Sequence, residues 1–377
     1  MTANLAHKAE SSNRSAAKAW VRALELTASI ARHPDRLLST VIEERAAQLG
    51  EAPALLSERE CLTYRGLVAR TNQYARWALA QGLAKGDCVG LLMPNRPEFM
   101  AIWLGLTKVG CVVALLNTNL SGLSLAHCVN IVAPKHLIVS SELVDSLAKA
   151  LPDVPTPTAV WIHGASHDAF QRLDQDLEQI DGEKLSEEER QPLTIEDRAL
   201  YIYTSGTTGF PKAASISHGR LMQWSHWFAG LMDTQPTDRM YDCLPMYHSV
   251  GGVQAPGAVL VGGGSVVFSE RFSSHRFWSE VVRWDCTLFQ YIGELCRYLL
   301  HTEPSQEETQ HRIRIACGNG LRPDVWENFK SRFRIPQILE FYGATEGNVS
   351  LFNVEGEVGA IGRIPSYLAH RFPAALL

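Results

Sequence analysis

No run of apolar residues in this 377-residue chain approaches the roughly 18 to 20 that a membrane-crossing helix needs, so no transmembrane span is expected. Met1 to Ser15 is polar and has no continuous apolar stretch of the secretory kind. The eight cysteines, at 61, 88, 111, 128, 243, 286, 296 and 317, include no C-x-x-C pair. Several fall inside apolar runs, which makes them reduced core residues and favours a reducing, cytoplasmic compartment. There is no basic excess either: 35 Lys and Arg stand against 40 Asp and Glu, for a net charge of -5. A chain without a large positive field is a poor partner for nucleic acid, and none is expected. Solenoid repeats and low-complexity tracts are also absent.

What remains is ordinary globular composition, 46% hydrophobic and 20% charged, with enough length for two or three compact units. From Asp87 to His163 short apolar runs alternate with helical periods: strands at Cys88–Met93, Cys111–Leu116, His136–Ser140 and Ala159–His163, with helices after Pro97 and about Leu123–Val132 and Leu143–Leu151. The alternation resumes with Met240–Leu244, Ser265–Phe268, Thr287–Tyr291, Ile313–Ala316 and Ile338–Tyr342. This is the pattern of βαβ units, hence an α/β fold with mostly parallel sheets flanked by helices. The domain reading is an N-terminal helical segment (1–50), a first α/β subdomain (51–173), an acidic connection (174–196) and a second α/β subdomain (197–377). Thr63 is placed to cap a helix running through Trp77. Ala16 to Arg32 reads as an amphipathic helix with Trp20, Leu24, Thr27 and Ala31 on one face. Docking on its own domain is favoured over a peripheral membrane role, although Arg22, Arg32 and Arg36 lie near.

The densest signal is Tyr203-Thr204-Ser205-Gly206-Thr207-Thr208-Gly209-Phe210-Pro211-Lys212. The apolar run Ala199–Tyr203 reads as a buried strand, so the loop opens at a strand end, where backbone N–H groups can turn toward an anion. Gly206 and Gly209 allow close approach, four hydroxyls offer donors, and Lys212 supplies a mobile positive charge. The segment is not a Walker A loop, because Pro211 precedes Lys212 and Ala213 follows it. Nor does a G-x-G-x-x-G fingerprint open a helix here.

Three further segments follow strands in the second half. Leu244 to Ser249 contains His248; Gly318-Asn319-Gly320-Leu321-Arg322-Pro323 can lie flat against a planar group, with Pro323 starting a helix. In Phe341-Tyr342-Gly343-Ala344-Thr345-Glu346-Gly347-Asn348 a ring, a hydroxyl and a carboxylate crowd together. Tyr342 could stack on a base, and Glu346 could hold Mg²⁺ through oxygen. Each alone is a turn or a structural histidine. Together they suit attack of a carboxylate on a nucleotide phosphate, which demands neutralisation of like charges.

Thr204 to Lys212 and Tyr342 to Gly347 resemble the phosphate loop and Thr-Glu motif of the acyl-adenylate-forming superfamily. Leu92-Met-Pro-Asn-Arg-Pro-Glu98, Val112–Leu120, Phe289–Glu294 and Gly318–Asp324 resemble its very-long-chain acyl-CoA synthetase and fatty-acid transport branch. That resemblance implies the large N-terminal domain of the adenylate-forming fold, ATP and Mg²⁺ as cofactors, coenzyme A as co-substrate and a fatty acid as substrate. Residue by residue it implies Thr204 to Thr208, Gly209 and Lys212 around the phosphates, with Thr207 and Glu346 near the metal. Gly318 to Arg322 would line the adenine, Tyr342 and Gly343 would lie against it, Thr345 would touch the α-phosphate, and His248 would stand at the acyl carboxylate. The family's ribose-binding aspartate, hinge and small C-terminal domain find no counterpart, so a truncated large domain is expected, unable to complete thioester formation. Two alternatives stay open: a nucleotide- or acyl-binding protein without turnover, and a ligase for an aryl or amino acid.

Overall fold

The structure is a computed structural model that describes residues 15–155, 158–165, 167, 169–205, 209–347 and 350–370. Its strands, in chain order, are β1 (Pro53–Leu56), β2 (Cys61–Thr63), β3 (Cys88–Leu92), β4 (Val112–Leu115), β5 (His136–Ser140), β6 (Ala159–His163), β7 (Gln171–Arg172), β8 (Arg198–Thr204), β9 (Lys212–Ser217), β10 (Arg239–Asp242), β11 (Ser265–Phe268), β12 (Leu288–Ile292), β13 (Ile315–Asn319), β14 (Ile338–Tyr342) and β15 (Leu351–Asn353). They form two sheets. One has the order β7-β6-β5-β3-β4-β8-β9 and the other β15-β14-β13-β12-β10-β11-β1-β2. Pairing is parallel except in β8–β9, β1–β2 and β14–β15. The α/β, mostly parallel architecture is therefore as the alternation of apolar runs implies, and β5, β6, β11 and β14 begin and end where the sequence places them.

The sheets do not separate at residues 174–196. β1 pairs with β11 and so joins the second sheet, while β8 and β9 close the edge of the first beside β4. The 174–196 stretch is itself strapped to helix Tyr64–Ala80: Arg76 pairs with Glu189 at 2.7 Å and donates to the carbonyls of Asp181 and Glu183. Leu177, Leu185 and Leu193 are buried along it.

Parallel strands covered on both faces need continuous apolar sequence, and β3, β4 and β11 are buried at every position. Helix Pro97–Lys108, buried along nearly its whole length, starts with Pro97, whose fixed φ suits a first helical position. The Thr63 hydroxyl accepts the Gly66 N–H at 3.0 Å and caps helix Tyr64–Ala80. The N-terminal helix spans Ala16–Ala28 and buries Ala19, Trp20 and Ala23. It lies on helix His218–Met232, with Trp20 edge-on to Trp227 and Phe352. Its apolar face is thus used inside the molecule. Among the described residues no helix is long and apolar enough to cross a membrane.

Candidate functional site

β8, β10, β12, β13 and β14 end at Thr204, Asp242, Ile292, Asn319 and Tyr342, and the chemistry-bearing segments follow those carboxyl ends, where open α/β sheets place their ligands. After β10 the chain turns through Leu244–Ser249 and enters a π-helical turn at Val250–Gln254. Such wide turns frequently occur at functional sites. This one is possible because Gly252 has no side chain: a Cβ there would lie 1.9 Å from the Met246 carbonyl oxygen. The turn is pinned from the other sheet by buried Asn95, whose amide donates to the Leu244 carbonyl at 2.8 Å and the Ser269 carbonyl at 3.1 Å and accepts the Met246 N–H at 2.9 Å. His248 follows. Its ring is open to solvent on one side and touches Tyr247, yet the protein packed round the rest of it holds the pKa below the ordinary histidine value. A desolvated imidazole of this kind is neutral at pH 7.

Near the end of β13, Gly318 lies against the Tyr291 ring of β12, and a Cβ at Gly318 would meet the Tyr291 carbonyl at 2.3 Å. The turn beyond it is held by Glu340, which is 2% exposed. One carboxylate oxygen accepts the Leu321 N–H at 3.0 Å and the other accepts the Tyr291 hydroxyl. Burial raises the Glu340 pKa above the usual carboxylate value, opposed by these hydrogen bonds. Asn319 Oδ1 is buried with no partner among the described residues. Arg322 pairs with Asp324 at 3.1 Å on the surface, at the start of helix Pro323–Arg332.

After β14 the Tyr342 ring is 57% exposed, leaving a face free for stacking. Gly343 continues the strand end, and Thr345 is fixed twice. Its hydroxyl lies 3.3 Å from the Ser249 hydroxyl, and its carbonyl accepts from Arg220 Nη1 at 2.9 Å. The structure therefore joins the loop before the π-turn to the Thr345 loop. Glu346 is exposed and has no ion pair among the described residues.

The β8–β9 hairpin carries the remaining candidates. Thr204 and Lys212 face each other in the antiparallel register, and Ser205, Gly209 and Lys212 are exposed. Gly206, Thr207 and Thr208 lie outside the described residues. No hydrogen bond among the described residues joins Lys212 or Arg322 to the other segments.

A cavity of about 700 Å³ lies between the sheets on the Tyr247 side of the turn. Leu244, Tyr247, Phe272, Ile292 and Tyr298 line it, with Arg59 and Glu270 among its charged residues. Tyr247 accepts a hydrogen bond from Asn119 at 2.9 Å.

Sequence reasoning did not single out Arg220 or Glu340, and it quoted Asn95 and Ser249 only inside longer segments. Glu340 carries a usable signal, since a carboxylate in the apolar run Ile338–Tyr342 must be buried with partners. Arg220 carries none, because its partners are backbone carbonyls 125 and 127 residues away.

Residues 42–368 match the family described as AMP-binding enzyme. The chain is 40% identical over 323 residues to long-chain fatty acid transport protein 1 of Mus musculus, covering 84% of this chain and 50% of the relative. To long-chain fatty acid transport protein 2 of Rattus norvegicus it is 38% identical, covering 88% of this chain and 54% of the relative. It thus spans about half the length of the curated relatives it matches. Among solved structures it resembles the anthranilate CoA ligase AuaEII in complex with anthranoyl-AMP, with TM-score 0.80 at 18% identity over 87% of this chain and 64% of that one. The N-terminal domain of FACL13 from Mycobacterium tuberculosis gives 0.73 at 20%, covering 87% and 82%.

Proposed function

Because the chain belongs to the AMP-binding enzyme family, we propose that it is the nucleotide-binding portion of an ATP-dependent, AMP-forming fatty acid–CoA ligase. The observation that carries this reading is the tie between the two sheets. Arg220, three residues beyond β9, holds the Thr345 loop that follows β14. Arg220 thereby links the helix that follows the Lys212 hairpin to the loop that bears Glu346.

In the proposed reaction a carboxylate oxygen bonds to the α-phosphorus of ATP, the bond from that phosphorus to the bridging oxygen breaks, and pyrophosphate leaves. Lys212 and the Thr204 and Ser205 hydroxyls offset the phosphate charge. Thr345 donates to the α-phosphate, and neutral His248 stands beside the carboxylate without adding a charge. Mg²⁺, when bound, neutralises phosphate oxygens; the exposed carboxylate of Glu346 is a suitable oxygen ligand for it. ATP fits the donor set: Asn319 Oδ1 is an unpartnered acceptor suited to an amino group, and the open Tyr342 face suits a purine. The acid would take the cavity beside Tyr247, where Leu244, Phe272 and Ile292 offer apolar surface to a hydrocarbon tail. The names of the relatives point to long-chain acids. Coenzyme A belongs to the second half-reaction, in which its thiol displaces AMP.

The test is exchange of labelled pyrophosphate into ATP by the purified chain with Mg²⁺ and palmitate, a very-long-chain acid or benzoate. Exchange with the long acids, lost in Lys212→Ala and Glu346→Ala variants that remain folded, supports the reading. Exchange with benzoate alone would move the substrate class to aryl acids. ATP binding with no exchange would leave a binding protein.

A further inference from the structure

Helix Gly122–Val132 plays no part in the site as described so far, yet two consecutive residues on it grip strand β8 and the segment that leads into β9. The Cys128 carbonyl accepts the Tyr203 hydroxyl at 2.6 Å, in the core beneath β8. His127, its neighbour, reaches the other limb. Its Nε2 lies 3.0 Å from the Pro211 carbonyl oxygen, and its ring stacks on Phe210 with centroids 4.6 Å apart and planes 27° from parallel. A carbonyl only accepts, so Nε2 carries the proton in this contact. The helix is a firm base, with Leu125, Ala126, Cys128 and Val129 buried.

The contact matters because of what comes next in the chain. Lys212 directly follows Pro211, is exposed, and has no ion pair among the described residues, so the course of its backbone sets the direction of the ammonium. Phe210, at 49% exposure, is a large apolar ring that gains little from burial. Its stacking partner is His127. A ring stack and a hydrogen bond on adjacent residues fix the limb in direction as well as in position.

We propose that His127 is a positioning residue that clamps the Phe210–Pro211 limb of the hairpin and so aims Lys212 at the phosphates of a nucleotide. The role of Lys212 rests on the function proposed above, while the clamp itself does not. His127 touches no substrate in this scheme and acts through Pro211 and Phe210. A misplacement of even 1 Å at a charged contact is expensive, which is why a remote clamp would be felt at the ligand.

The experiment compares the wild-type chain with His127→Ala, His127→Gln and His127→Phe in two measurements. One is amide hydrogen exchange at Phe210, Lys212 and Ala213 without nucleotide; the other is the affinity for Mg²⁺·ATP. His127→Ala is expected to speed exchange at these amides about tenfold and weaken ATP about tenfold, while melting stays within about 2 °C of wild type. His127→Gln, which keeps a donor, and His127→Phe, which keeps a ring, should each recover part of both effects. A merely structural contact would not give that rescue. Unchanged exchange in His127→Ala overturns the clamp. Faster exchange with unchanged ATP affinity overturns the aiming of Lys212. If the wild-type chain binds no ATP while His127→Ala still speeds exchange, the nucleotide reading falls and the clamp stands.

Discussion

Arg220 Nη1 lies 2.9 Å from the carbonyl oxygens of both Thr345 and Gly347, so one guanidinium nitrogen bridges the ends of the three-residue stretch that carries Glu346. The Arg220 guanidinium carbon also stands 5.8 Å from the centre of the Trp224 ring, one turn further along the helix. Hydrogen bonds from a charged donor contribute about 1.5–3 kcal/mol each. Arg220→Met is expected to lower acid-dependent pyrophosphate exchange about tenfold or more, chiefly in rate rather than in KM for the acid. Arg220→Lys should recover only part, because an ammonium lacks the planar fork. An exchange rate unchanged in Arg220→Met would remove the link between the sheets from the mechanism.

Asn95 satisfies two carbonyls and one N–H of the opposite sheet's loops from a position 6% exposed. Asn95→Ala leaves all three unpaired. At about 1 kcal/mol per bond the variant should lose about 3 kcal/mol of stability in urea unfolding. The Leu244–His248 turn would loosen with it, so the KM for the acid should rise more than that for ATP. Equal changes in both would point to a global defect.

Among the described glycines the sharpest steric limit lies at Gly293, where an added Cβ would sit 1.8 Å from the Gly320 carbonyl oxygen. Backbone cannot yield as a flexible side chain can. Gly293→Ala should therefore displace the Gly318–Leu321 turn, destabilise the fold by about 1–3 kcal/mol and weaken nucleotide binding. Calorimetric titration with ATP gives the second effect directly, and a wild-type affinity would show that the turn does not line the nucleotide.

His218 opens the helix that bears Arg220 and is 2% exposed, with Nε2 unpartnered. Burial is the main cause that pushes its pKa down to about 4, with Lys85 adding to the effect and Asp197 opposing it. Between pH 6.5 and 4 the unfolded chain then binds the proton that the folded chain refuses, so stability falls as pH is lowered through this window. The loss amounts to about 3 kcal/mol by pH 4. Denaturant unfolding of His218→Leu at pH 7 and at pH 4.5 should show a smaller drop than wild type; an equal drop would assign the acid sensitivity elsewhere.

Continuous apolar runs such as Val112–Leu115 and Ser265–Phe268 are legible in the sequence, because a strand buried on both faces leaves no choice of side chain. Short edge strands are not. Cys61–Thr63 and Lys212–Ser217 are not marked out by any apolar run, because each is an edge strand held by one neighbour and mostly unburied. The order of strands is equally hidden: nothing in Pro53–Leu56 says that its partner is Val266 rather than a strand of the next βαβ unit. At the site, glycines and hydroxyls announce themselves by composition. Of the groups that hold them still, Glu340 shows as a carboxylate within an apolar run, whereas Arg220 and Asn95 act through contacts between distant parts of the chain that composition cannot express.

The exchange of strands between the halves bears on how the chain can be cut. β1 and β2 leave with the N-terminal part but complete the sheet built by the C-terminal part, and β8 and β9 do the reverse. A nick near Glu187 would yield two pieces, the first holding a hairpin whose sheet is elsewhere and the second supplying the missing edge of its partner. Each piece would leave its exchanged strands without their sheet, so the two should associate when mixed, each restoring the edge that the other lacks.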